Sequence, residues 1–489
     1  MNRSYQDSTP SAAVAEPIDA PDASISRPPA RVGTGELSGR LAGLSLPRQV
    51  LVLAIWPLME QILNFLVGMT DLMLAGRLSP DAVKVAAIDA LGVAGYIGWA
   101  MNLLQAAVGV GSAALIARAI GARHRRVANS ALGQSLLLAT CSGVTVGVVI
   151  YLGAGVIGRF AGLEGQGLAF CITYLRIVSL VAPASAILFV GSACLRGAGD
   201  TRTPFAVMVV VNLTNAVASI LLVFGPAPLG GHGVAGIAAG TAIAWIVGAA
   251  IVLTVLIRGW GGIRLRLIRL RPHAYTMKRI VRVGLPNLAE SSGMWIGNFL
   301  ILKIVGALGI YGAIGAHMIA IRIEAISFLP GFAIGLAAAT LTGQYLGAGN
   351  PQRARQAVLL CWFAGAGIMM LLGLVFILIP EQLVWLISNA DTHMEQAPRL
   401  VRMAGFIQVF FGTYAVLSNA IRGAGDTRSA MLMTYASTFL IRLPAAALLG
   451  VVLDLGLLGV WIALCGELII RGGMFAARFL HGGWAKVKV

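Results

Sequence analysis

Charge is what this chain has least of: only 11% of its 489 residues are Asp, Glu, Lys or Arg, whereas 58% are hydrophobic. A soluble domain carries roughly 25% charged residues. A chain this long and this apolar cannot cover its core with polar surface, so water is excluded as the solvent of most of it. Short alternating segments are also missing, which excludes a β-barrel. The apolar runs are long, and in lipid a helix satisfies its own backbone. Cysteine is sparse: Cys141, Cys171, Cys194, Cys361 and Cys465 stand alone in or beside apolar segments without CxxC spacing. Neither a disulfide framework nor a metal site is expected from them, and no cofactor is implied. None of Lys84, Lys278, Lys303, Lys486 and Lys488 follows Gly or precedes Ser or Thr, as a phosphate-binding loop requires. With no soluble domain large enough for a nucleotidase, transport driven by ATP within the chain is disfavoured. Clustered His or Asp-rich motifs are absent too, which speaks against a membrane-embedded enzyme, and no catalytic residue is assigned.

What the chain does have is base, with a formal net charge of +17. The bases sit in short loops without interleaved aromatics, so no nucleic-acid partner is expected; the bilayer is the expected partner. A spanning helix needs about 20 residues. The runs predict twelve spans: 49–76, 85–119, 128–153, 168–195, 204–225, 233–257, 279–306, 313–346, 355–380, 398–421, 430–453 and 457–479. Every second loop is basic, and the longest of these loops runs from Arg258 through Arg264, Arg266, Arg269 and Arg271 to Lys278, Arg279 and Arg282. By the positive-inside rule both termini lie in the cytoplasm. The expected organisation is a disordered cytoplasmic tail (1–47), a six-helix lobe (48–257), a basic linker (258–278), a second six-helix lobe (279–480) and a short cytoplasmic tail (481–489). The fold class is therefore an all-α polytopic membrane protein.

The two lobes repeat. Residues 196–202 and 422–428 both read RGAGDTR, and the same shift of 226 aligns Gly121-Ala122 with Gly347-Ala348 and Arg176 with Arg402. An even helix count gives both lobes the same topology, related by an axis along the membrane normal with a cavity between them. The glycines of RGAGDTR end one helix and Asp200 or Asp426 caps the next; a role in closing a cytoplasmic gate is the alternative.

Ionisable groups at membrane depth are costly and are functional candidates. Glu60, Asn64 and Asp71 fall on one face of the first helix, able to line a cavity together. A carboxylate in a partly dry site can exchange a proton near neutral pH, which makes Asp71 the sharpest candidate; an acid merely bonded to a helix neighbour is the bland one. Asn212, Asn215 and Ser219 share a face of the fifth helix, for substrate contact or for interhelical hydrogen bonding. Glu290 follows Pro286, His317 and Glu324 share a face of the eighth helix, and the tenth helix offers only Gln408. Glu290 and Glu324 either serve the cavity or pair with Arg322 or Arg442. Glu467 and Arg471 read as a simple i,i+4 pair. Pro57 and Pro286, each early in its lobe's first helix, are candidate hinges or static kinks.

These residues resemble the multidrug and toxic compound extrusion (MATE) transporters. The matching segments are Trp56-Pro57, GMTDLMLAGRLS (68–79), the RGAGDTR loops, NLTNAVASILLVFG (212–225), Gly284-Leu285-Pro286, the block 315–354 and IRLPAAALL (441–449). The resemblance implies two lobes around a V-shaped cavity, and export of organic cations or amphiphilic drugs driven by a proton or sodium gradient. It also places the family's first-helix acid at Asp71. Many relatives carry an acid where this chain has Ser219, and some pair acids of the seventh and tenth helices for sodium. With Ser219 and an acid-free tenth helix, protons are the expected coupling ion. A flippase for lipid-linked precursors is the alternative on a similar fold; it needs Arg and Lys lining the cavity, whereas the candidates on the first and fifth helices are acids and amides. A monomer in the inner membrane of a bacterium is expected.

Overall fold

In the computed structural model, residue 37 and residues 41–487 are described, apart from 227, 228, 261 and 389. The expected tail over 1–47 lies almost wholly outside the described residues. Those residues form helices and no strand. Twelve helical spans cross the molecule: α1 Leu46–Ala75, α2 Asp81–Gly121, α3 Arg125–Phe160, α4 in two parts (Gly165–Leu180 and Ala182–Gly197), α5 Arg202–Phe224, α6 Gly233–Arg258, α7 Ala274–Ala307, α8 Ala313–Gly347, α9 Pro351–Leu378, α10 Asp391–Gly423, α11 Thr427–Val452 and α12 Gly456–His481. Ten are long and apolar enough to cross a membrane, and the two parts of α4 together make an eleventh. The remaining helix, α7, has the length, but Lys278, Arg279, Arg282, Glu290 and Lys303 dilute its apolar character.

Three expectations of regular helices need correction. The span expected over 168–195 is bent by 56° at Val181, where Pro183 opens the second part; its ring and missing N–H break the helical ladder. The span expected over 430–453 contains two π-helical stretches, Ala436–Arg442 and Leu448–Val452. Helix α10 starts at Asp391, seven residues before the expected 398, because its first turns are polar and fall outside an apolar window. A short helix, Pro380–Trp385, precedes it.

The two halves use one packing plan. In the first, α1 packs on α5, α2 on α3 and α4, α3 on α4, α4 on α6 and α5 on α6. In the second, α7 packs on α11, α8 on α9 and α10, α9 on α10, α10 on α12 and α11 on α12. Contacts between the halves follow the same two-fold relation: α1 meets α8, α7 meets α2, and α2 meets α8.

Close helix approach needs residues without side chains. A Cβ on Gly121 would lie 1.9 Å from the Gln344 carbonyl oxygen, and one on Gly347 would lie 2.1 Å from that of Arg118. A Cβ on Gly197 would lie 2.7 Å from the Ala113 carbonyl oxygen, and one on Gly423 2.3 Å from that of Ala339. All eight positions are related in pairs by the 226-residue shift, so the crossing at this end obeys the repeat. Hydrogen bonds join the halves here as well. Arg118 donates to the Ala424 carbonyl at 2.8 Å, Gln344 to the Gly197 carbonyl at 3.1 Å, and Tyr345 to Gln49 at 2.8 Å.

Both RGAGDTR turns end a helix on a glycine in the left-handed region, Gly199 and Gly425, each with φ of 90°; an L side chain is disfavoured there. The two aspartates then diverge. Asp200 accepts from the Thr203 backbone N–H at 3.2 Å and so caps α5. Asp426 makes no side-chain cap and instead pairs with Arg478 of α12 at 2.5 Å. The basic linker is strapped to α3: Gln134 donates to the Arg269 and Arg271 carbonyls, and Asn129 accepts from the Arg264 backbone N–H.

Candidate functional site

A cavity of about 500 Å³ lies between the halves. Its floor is the glycine crossing, with Gly197 and Gly423 at its edge. Apolar rings, among them Phe189, Phe328, Phe332 and Phe411, form much of the wall, and Glu60, Asn64, Asn287, Asn298 and Glu324 supply polar groups. Four arginines also line it: Arg196, Arg422, Arg442 and Arg471. The first helix brings Glu60, Gln61 and Asn64, an acid and two amides as expected, but the fifth helix brings none of Asn212, Asn215 and Ser219; the arginines come from α4, α10, α11 and α12.

The first arginine of each RGAGDTR segment reaches a buried acid in the first helix of its own half. Arg196 pairs with Glu60 at 2.6 Å, and Arg422 pairs with Glu290 at 2.6 Å. Glu290 also accepts from Thr434 at 2.7 Å. Its partner is thus neither Arg322 nor Arg442. The sequence held the signal: Glu60 follows Pro57 by three residues and Glu290 follows Pro286 by four, so one acid stands near the equivalent place in each half.

Asp71 lies elsewhere. It does not line the cavity with Glu60 and Asn64, although all three share a helix face. Eleven residues of helix separate it from Glu60, about 16 Å, and over that distance the face passes from the central cavity into the bundle of the first half. There Asp71 is buried and touches neutral donors only. Thr241 of α6 and Tyr174 of α4 donate to Oδ2 at 2.8 and 2.9 Å, and Asn215 of α5 donates to Oδ1 at 3.2 Å. Asn215 Oδ1 and Ser219 Oγ are buried without a hydrogen-bond partner. Asn212, half-buried, donates to the Met208 carbonyl and takes no part. Sequence spacing could not find Tyr174 and Thr241, because α4 and α6 reach Asp71 only through the tertiary fold.

The second half holds a denser ionic centre. Glu467 accepts from Arg471 at 2.6 Å and from Arg442 at 2.7 Å. It is a hub between α11 and α12, not the simple intrahelical pair expected. Arg471 also donates to Ser437 and Thr438, and Arg442 to Asn298. Arg442 and both Arg471 partners, Ser437 and Thr438, belong to the first π-helical stretch of α11; the extra residue per turn swings them onto α12. Glu324 lines the cavity. His317, one face-repeat away, does not: it is buried and its Nδ1 accepts from Trp461 Nε1 at 3.1 Å. Gln408 is buried in α10, donating to the Ala404 carbonyl. Pro57 and Pro286 each sit inside an uninterrupted helix.

Comparison with known proteins agrees with this architecture. The MatE family profile matches residues 58–221 and 286–448, one stretch in each half. The probable multidrug resistance protein NorM of Thermotoga maritima is 31% identical over 442 residues, covering 90% of this chain and 93% of its own. Multidrug resistance protein PmpM of Pseudomonas aeruginosa is 27% identical over 465 residues, covering 89% and 92%. Among solved structures, a MATE transporter in a bent conformation superposes with a TM-score of 0.82 at 23% identity, covering 89% of this chain and 94% of that one. The repeat, the cavity between equivalent halves and these matches lead to one assignment: the chain belongs to the MatE family of multidrug and toxic compound extrusion transporters, multi-pass membrane proteins.

Proposed function

We propose that this protein is a secondary antiporter that exports organic cations and amphiphilic drugs in exchange for protons, by alternating access between its two halves. The observation that carries the reading is the Asp71 cluster. Its hydrogen-bond partners are a phenol, a hydroxyl and an amide, so no fixed positive charge holds the carboxylate in one state. Ionised, it accepts three hydrogen bonds. Protonated, it must donate one, and the amide that touches it brings an acceptor, Asn215 Oδ1, that lacks a donor. The two states therefore favour different arrangements of α1, α4, α5 and α6. A proton exerts its effect on transport by its differential affinity for two such arrangements. Helix α1 also carries Glu60 and Asn64 into the central cavity, which links the cluster to the substrate path.

Protons are preferred over sodium because hard cations want several charged oxygens, and the groups around Asp71 include no second carboxylate. The cavity arginines recommend the flippase reading at first sight, yet Arg196, Arg422, Arg442 and Arg471 all pair with glutamates, which leaves little free positive charge for a phosphorylated headgroup. We place the RGAGDTR end, with its basic loops, in the cytoplasm of a bacterial cell, and we take the monomer as the working unit. The test is dye efflux from cells and from inverted vesicles with the proton and sodium gradients collapsed separately. Collapse of the proton gradient should stop efflux, and Asp71→Asn should abolish it with expression unchanged. Efflux that needs sodium and ignores pH would overturn the choice of ion; full efflux by Asp71→Asn would overturn the role of Asp71.

A further inference from the structure

We infer that the central cavity admits substrates bearing one positive charge, held at Glu324, and rejects those bearing two. The inference rests on the cavity being the substrate path of the proposed exporter. It follows from a count of charges among the described residues of the lining and their partners. Arg196, Arg422, Arg442 and Arg471 face the cavity. Glu60 answers the first, Glu290 the second, and Glu467 alone answers both of the others. Glu290 and Glu467 are almost wholly buried behind their arginines, at 1% exposure each.

Glu324 is the fourth carboxylate. It lies on the cavity wall, near enough to Arg442 of the two-arginine hub for their charges to interact, but makes none of the close ion pairs that engage the other three. With every group ionised the four guanidiniums and four carboxylates cancel, so the cavity has no surplus negative charge to offer. A single cationic centre can pair with Glu324 while its apolar body rests on the phenylalanine wall. A second cationic centre finds the charge of each remaining carboxylate already answered by an arginine, Glu60 included although its Oε2 lacks a hydrogen bond, and meets guanidiniums instead. Between low-dielectric walls such like-charge encounters are far more costly than in water. Asn298 marks how close the balance is. It lines the cavity and accepts from Arg442 Nη1 at 3.0 Å, and one carboxylate there would tip the whole site negative.

The test uses ethidium and propidium, which share a phenanthridinium body and differ by propidium's additional quaternary ammonium. Equilibrium binding of both dyes is measured by fluorescence on the purified full-length protein in lipid nanodiscs, with no gradient present. Propidium should bind at least about tenfold more weakly than ethidium, and Glu324→Gln should weaken ethidium by about tenfold. Asn298→Asp, a change of nearly equal volume, should close most of the gap by strengthening propidium. Propidium binding as tightly as ethidium, ethidium binding untouched by Glu324→Gln, a gap unmoved by Asn298→Asp, or failure of both dyes to bind would each overturn the inference. Because no gradient enters the assay, a failed antiport reading would show in the efflux experiment and leave this ratio standing.

Discussion

Each half of this transporter buries a carboxylate at the heart of its bundle, and the two are treated in opposite ways. In the first half Asp71 meets neutral donors: Tyr174, Asn215 and Thr241. In the second half Glu467 meets two guanidiniums, Arg442 and Arg471. A carboxylate among neutral donors is free to lose its charge; one clamped between two cations is not, because its protonation would strand both. The halves share a fold and a repeat, so the difference lies in a few side chains. On the proposed reading the first centre exchanges protons, whereas the second holds α11 against α12.

The comparison can be broken most directly at Glu467. Glu467→Gln leaves two buried arginines without their carboxylate, and loss of one partner from a buried ion pair costs about 3–5 kcal/mol. Thermal unfolding of the detergent-solubilised protein should drop accordingly, whereas Asp71→Asn strands no counter-charge and should cost less, at most about 1.5–3 kcal/mol, while stopping efflux. Equal destabilisation by both would erase the distinction. The next effect is expected at the crossing between halves. Gly121→Val drives a side chain into the Gln344 carbonyl, and overpacking costs roughly 1–3 kcal/mol, charged to the state in which this end is closed. In a background without native cysteines, labelling of Ser418→Cys on the cavity wall by an impermeant maleimide from the RGAGDTR side should rise about tenfold; unchanged labelling would remove the crossing from the gate.

A change of comparable size probes Asp71 itself. Thr241→Val removes one donor to an ionised group, worth about 1.5–3 kcal/mol, and should slow proton-driven efflux, with Thr241→Ser restoring it. If the serine fails equally, packing and not the hydroxyl is at issue. The least effect belongs to a pair in neither centre. Arg402 and Glu381 meet at 2.9 Å but are 46% and 50% exposed; Arg402→Ala should cost under ~0.5 kcal/mol in the same unfolding assay.

The fold was largely legible because a hydrocarbon solvent permits few answers and the loop charges alternate. Even α7, whose charges dilute it, reads as an apolar run over 279–306, and the alternation of loop charge agrees with that count. The bend in α4 and the π-helical stretches of α11 were not legible: a proline mid-span can kink or be accommodated, and a π-turn depends on what the neighbouring helix offers. The site was legible one helix at a time. Asp71, Asn215, Glu60 and Glu290 stood out as polar groups at membrane depth. Their partners did not, since Tyr174, Thr241, Arg196 and Arg422 arrive from distant helices and spacing along one helix says nothing of them. Spacing offers Arg442 to Glu290 or Glu324; it does not meet Glu290, its charge does act on Glu324, and its close hydrogen bonds go to Glu467 on α12, which spacing does not offer.

The crossing of α2 and α8 has the logic of a symmetric homodimer interface written into one chain. In a true two-fold dimer every substitution strikes the seam twice and must suit both copies. Here the copies are separate stretches of sequence, and each can change alone. They already have: at the equivalent positions 118 and 344, one side reaches across with an arginine and the other with a glutamine. One latch carries a charge and the other does not, so a change in the local electric field bears on the first and not on the second. Fusion of the repeats thus allows the two sides of a single seam to differ in charge, an asymmetry that identical subunits could not encode.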